Sequence, residues 1–128
     1  MLDGVSILVA DDEEIIREAL YLLLTQEGCH VRMANDGQTA VQVARDESFD
    51  AVLLDIIMPK LDGLDALEKI KKFDTDLPVI MMTAKGTASN ARQAFKRGAF
   101  DFVEKPFDND NVLVVVRNAV KQRRLVTE

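Results

Sequence analysis

The chain has 128 residues, 48% hydrophobic and 30% charged, with a formal net charge of −6. That length suits one domain with a sizeable core. The acidic balance argues against a nucleic-acid-binding surface on the domain, and no apolar run approaches the ~20 residues that span a bilayer.

The N-terminus has no signal-peptide pattern, and the single cysteine, Cys29, rules out an internal disulfide and fits a reducing cytoplasm. The continuous apolar run VSILVA (5–10) predicts the first strand. EEIIREALYLLLTQEG (13–28) follows as a helix, with Ile16, Ala19, Leu20 and Leu23 on one face and Gly28 as its stop. Cys29 reads as a small buried filler at the next strand's start, and His30 beside it as structural. HVRMA (30–34) is the second strand, and GQTAVQVARDE (37–47) a helix with Ala40, Val41 and Ala44 inward. AVLLD (51–55) is the third strand. A helix from about Gly63 to Phe73 carries Leu64, Leu67 and Ile70 on one side. PVIMMTA (78–84), a small-residue helix at 88–98 and DFVEK (101–105) come next, then a helix from about Asn109 onward. Its segment NVLVVVRNAV is rich in β-branched valine, yet Val112, Leu113, Val116, Ala119 and Val120 recur at helical spacing. Residues 1–121 are expected to form the domain body, and 122–128 an extension of the last helix leading toward a linker.

Five βα units in succession imply an α/β fold with a parallel sheet and helices on both faces. Segments 5–10, 51–54 and 78–82 are almost wholly apolar, as central strands are, whereas HVRMA and DFVEK alternate as edge strands do. The order 2-1-3-4-5 satisfies both. It creates a switch point between strands 1 and 3, where such sheets bind ligands beyond the strands' carboxyl ends.

That topology brings Asp11 and Asp12, at the end of strand 1, close to Asp55, at the end of strand 3. Strand 4 ends with Thr83, and strand 5 with Lys105 before Pro106. Two like charges ~4 Å apart repel by about 4 kcal/mol at an effective dielectric of ~20. Three carboxylates against one ammonium therefore make a poor stabilising network and a good seat for a hard cation such as magnesium. Each residue also has a plainer reading. Asp11 with Glu14 three residues on fits capping-box spacing, Thr83 fits a strand-end hydroxyl, Lys105 a solvated lysine, and Asp55 the start of a turn toward Pro59. Their coincidence at the carboxyl ends of different strands favours a site.

The blocks VADDEE, LLDIIMPKLDG, MMTA, GAFDF and EKPF fall in order along nearly the whole chain, and together they resemble response-regulator receiver domains. The resemblance implies that Asp55 accepts a phosphoryl group from the phosphohistidine of a sensor histidine kinase or phosphotransfer protein. It implies Mg2+ ligation by Asp12, Asp55 and the backbone carbonyl of Ile57, with Asp11 acting through a water. Thr83 would hydrogen-bond the phosphoryl oxygen and Lys105 would pair with it. Phe102 holds the switch-aromatic position, beside the plain alternative of core packing. Ile57 and Lys85 occupy the two positions that tune phosphoryl lifetime, and the Lys105–Pro106 bond is expected to be cis.

Two other classes share parts of this pattern. A flavin-binding electron carrier needs a hydroxyl- and glycine-rich phosphate loop after strand 1, where this chain has DDEE. An aspartate-nucleophile phosphatase needs a second aspartate two residues after the first, where this chain has Ile57. The GAFDF block and the long last helix resemble receivers joined in cis to ATPase-type transcription activators. An isolated receiver acting by protein–protein contact is the alternative, and a homodimer on phosphorylation is a further expectation.

Overall fold

The computed structural model describes residues 2–84 and 88–127. Strands β1 (Ser6–Ala10), β2 (His30–Ala34), β3 (Ala51–Asp55), β4 (Val79–Ala84) and β5 (Asp101–Lys105) alternate with helices α1 (Glu14–Gln26), α2 (Gly37–Asp46), α3 (Gly63–Phe73), α4 (Ala88–Lys96) and α5 (Asn109–Thr127). All pairings are parallel, and the order is β2-β1-β3-β4-β5, as the strand compositions predicted. Every residue of β3 is buried, while β2 exposes His30, Arg32 and Met33 and β5 exposes Glu104.

Alternation along each strand divides the core in two. Ile7, Val9, Leu53, Ile80 and Met82 face α1 and α5, whereas Leu8, Ala10, Leu54, Val79 and Met81 face α2, α3 and α4. Each large side chain so enclosed contributes roughly 1.5–3 kcal/mol, so the central strands anchor the positions of the loops at their ends.

The valine-rich segment is helical, because its period presents Val112, Leu113, Val115, Val116, Ala119 and Val120 to the core, and that burial outweighs β propensity. Val115 joins the face expected from the sequence. On α1 the expected face needs correction. Ala19 is exposed, Ile16 and Leu23 are half-buried, and Leu24 is buried together with Leu20. The chain leaves α1 through Gly28 at φ +95°, a conformation that favours glycine. Cys29 is buried, and burial together with the carboxylates of Glu27, Asp50 and Asp3 pushes its thiol up to about 11, so it stays protonated near neutrality.

Two glycines seat the loop between β3 and α3. A Cβ at Gly63 would overlap the carbonyl oxygen of Asp55, and one at Gly37 would overlap that of Leu61. The Gly63 N–H donates to the Ile56 carbonyl at 2.6 Å, and Lys60 within the loop has φ +70°. Near the other end of the sheet, Arg123 on α5 donates two hydrogen bonds to Asp74, at 2.9 and 2.8 Å, tying the end of α5 to the segment after α3.

Candidate functional site

The carboxyl ends of β1, β3, β4 and β5 surround a cleft of about 350 Å³ lined by Asp12, Glu13, Asp55, Ile56, Ile57, Met82, Thr83, Ala84 and Lys105. Side-chain oxygens of Asp11, Asp12 and Asp55 come within 4.8 Å of one another. Asp11 and Asp55 are buried and Asp12 is exposed at the rim. Lys105 reaches in from β5, with Nζ 2.7 Å from Asp11 Oδ2 and 3.2 Å from Asp55 Oδ2.

Asp11, Asp12, Asp55, Thr83 and Lys105 reach this site through the registers of the strands they end. Ala10 pairs with Ala34 and Leu54, so β1 lies between β2 and β3 and its following residues face β3's last residue. Asp55 is in register with Met82, which brings Thr83 beside it, and Thr83 is in register with Glu104, one residue before Lys105. The Lys105–Pro106 peptide is cis.

The electrostatics follow from burial. Desolvation, reinforced by the Asp11 charge, pushes the Asp55 carboxyl up to about 6, although Lys105 and the Ile57 N–H pull it down. Burial alone would lower Lys105, but its contacts with Asp11 and Asp55 outweigh that and hold it above the ordinary lysine value. Asp11 Oδ2 is fully buried and accepts no well-directed hydrogen bond, even with the ammonium so near. A buried anionic oxygen in that condition, among hard carboxylate donors, fits a small divalent cation.

Glu13 is a fourth acid that the sequence reading omitted; its Oε1 is 3.5 Å from Lys105 Nζ. Arg17 was also omitted. Its guanidinium donates to the Asp11 backbone carbonyl at 2.8 Å, bracing the residue that closes β1. Both stand in the run DDEEIIR, but only the folded chain shows Lys105 reaching Glu13 from the far edge strand and Arg17 folding back onto the Asp11 carbonyl. Asp11 does not cap α1: its Oδ1 accepts from the Glu13 N–H at 2.9 Å, and Glu13 is the N-cap residue.

Thr83 is buried, and its hydroxyl donates to the Ala84 carbonyl at 3.3 Å. Phe102 is half-buried, one strand over, with its ring edge-on to Phe95 at a centroid distance of 5.8 Å. Ile57 is 72% exposed at the cleft mouth. Lys85 lies outside the described residues.

Comparison with known proteins returns one family. The model described as the response regulator receiver domain matches residues 7–117. The regulatory protein AtoC of Escherichia coli strain K12 is 38% identical over 122 residues, which are 95% of this chain and 26% of AtoC. The receiver domain of NtrX from Brucella abortus superposes with a TM-score of 0.86 at 40% identity, covering 90% of this chain and 98% of that one. A longer NtrX structure from the same organism, in complex with ATP, gives a TM-score of 0.91 at 38% identity, covering 97% of this chain and 28% of that one. This chain spans between about a quarter and about half of the length of the curated relatives it matches.

Proposed function

The chain belongs to the response regulator receiver domain family, and on that footing we propose that it is a phosphoacceptor switch in two-component signalling. Asp55 is the residue that takes the phosphoryl group from the phosphohistidine of a sensor kinase or phosphotransfer protein. One observation carries the assignment: a buried carboxylate, a second and third carboxylate and one ammonium meet at the carboxyl ends of separate strands.

A carboxylate oxygen of Asp55 attacks phosphorus, an O–P bond forms, the donor N–P bond breaks, and its electron pair returns to the imidazole nitrogen. Phosphoryl transfer asks the protein mainly for positioning and charge neutralisation. Lys105 supplies a positive charge 3.2 Å from the nucleophile. Asp11, Asp12, Asp55 and the Ile57 carbonyl would hold magnesium, which neutralises charge on the phosphoryl oxygens when bound. Thr83, next to Asp55 across the β3–β4 pairing, donates to a phosphoryl oxygen. Its movement repacks Phe102 and the β5–α5 side of the sheet. Water attack on the acyl phosphate later returns the carboxylate and releases phosphate.

The output we infer is control of a transcription-activating effector joined in cis beyond residues 122–128, which extend α5 from the body formed by 1–121. Relatives named as transcriptional regulators support this. The receiver acting alone is the other form. We place the domain in the cytoplasm as a homodimer when phosphorylated; no helix among the described residues is long and apolar enough to cross a membrane.

Acetyl phosphate with magnesium tests the central assignment. Intact-mass analysis should show one added phosphoryl group, absent from Asp55→Asn. The same adduct in that variant would overturn it.

A further inference from the structure

Away from the acidic cleft, α2, α3 and the loop before α3 enclose a second depression of about 550 Å³. Its charged lining is wholly cationic: Arg45 from α2, Lys60 from the loop and Lys69 from α3. In a chain of net charge −6 this is a local reversal of sign. Gln38, Gln42 and Arg45 stand at i, i+4 and i+7, so helical geometry puts two amides and the guanidinium on one stripe of α2. Val41 and Leu61 supply an apolar floor.

The cations are not absorbed by structural pairing. Among the described residues neither Arg45 nor Lys69 forms an ion pair. Arg45 instead lies 5.3 Å over the Phe73 ring, which steadies the guanidinium plane without cancelling its charge. Among the described residues Lys60 pairs only with Asp36, at 3.7 Å, and it takes its position through a backbone at φ +70°, where a lysine is rare.

We propose that this depression binds a small organic phosphate of nucleotide size. Arg45 and Lys69, with Lys60 beside its Asp36 partner, carry more positive charge than a monocarboxylate needs and suit a diphosphate or larger group. A guanidinium held flat can grip phosphate through two parallel hydrogen bonds, and the ammoniums add point charges beside it. The glutamine amides, which donate and accept, together with Val41 and Leu61 suit the organic body. A volume of about 550 Å³ lies within the range of small-molecule clefts.

The test is NMR titration of the isotope-labelled chain with ATP, pyrophosphate and a peptide of glutamates, all without divalent metal so that the acidic cleft is not engaged. ATP should give saturable shifts centred on residues 38–45, 60, 61 and 69. Arg45→Gln should weaken binding about tenfold or more, and Arg45→Lys less. Lys121→Gln, on α5, should leave it unchanged. Absence of saturation, equal binding by Arg45→Gln, or equal binding of pyrophosphate or the acidic peptide would each overturn the proposal. Circular dichroism of each variant confirms that lost binding is not lost folding.

Discussion

Lys105 stands 3.2 Å from Asp55, yet the Asp55 carboxyl remains pushed up to about 6, because burial and Asp11 oppose ionisation more than the ammonium favours it. A carboxyl whose folded-state value exceeds its unfolded one binds more protons when folded, so its share of stability falls as pH rises from about 4 to about 6. Lys105, shifted upward, is fully charged throughout that window and contributes no slope. Without metal, Asp55→Asn should therefore gain stability over the parent, on the order of 2 kcal/mol near pH 7 and almost none near pH 4. Urea unfolding at the two pH values measures it. A difference that does not change with pH contradicts this picture of the cleft.

Magnesium should bind the unphosphorylated chain weakly, since it keeps several waters and relies on few carboxylates. Asp12 is the exposed member of the triad and is not paired with Lys105. Asp12→Ala should therefore lower magnesium affinity while relieving repulsion in the metal-free state. Calorimetric titration gives the first quantity and thermal melting in chelator the second. Undiminished affinity would remove Asp12 from the ligand set.

Phosphoryl lifetime should depend on Ile57, whose side chain stands exposed at the mouth of the cleft holding Asp55. It offers no atom to orient an attacking water, and losing such positioning costs several kcal/mol of barrier. Ile57→Asn should speed phosphate release about tenfold, and Lys85→Ala should do so by a smaller factor. The decay of purified phosphoprotein in magnesium is the measurement. An asparagine variant that decays at the parent's rate would discard the account.

Gly63→Ala sets two effects against each other. Alanine favours a helix over glycine by up to ~1 kcal/mol, but its Cβ would overlap the Asp55 carbonyl oxygen, which is backbone at the end of a wholly buried strand and has little room to yield. The clash should win, with a net loss of roughly 2 kcal/mol and slower phosphorylation. Denaturant unfolding that finds Gly63→Ala as stable as the parent would show that the loop relaxes.

The sheet order was legible because strands covered on both faces lose their polar alternation, and β1, β3 and β4 had lost it whereas β2 and β5 had not. The period of the α5 valines was legible for a similar reason: a stripe repeats along a helix whatever its β propensity. What escaped depends on distances across the fold. Ile16, Leu20 and Leu23 do pack on the core, but Ala19 falls at the exposed edge of their stripe and Leu24, one turn after Leu20, is buried with them. Glu13 and Arg17 matter through Lys105 and the Asp11 carbonyl, contacts that no local spacing encodes.

The Arg123–Asp74 bond pair gives α5 the mechanics of a beam held at more than its root. Nineteen residues at ~1.5 Å each make a rod of about 28 Å. Tilting such a rod by about 5° about its first turn would carry Arg123, about 21 Å along it, roughly 1.8 Å, enough to break a bidentate ion pair whose bonds are 2.9 and 2.8 Å. Small motion at β5 therefore meets a threshold. Either the latch holds and α5 rolls in place, or it releases and the tip swings free, so the helix responds in steps and not in proportion.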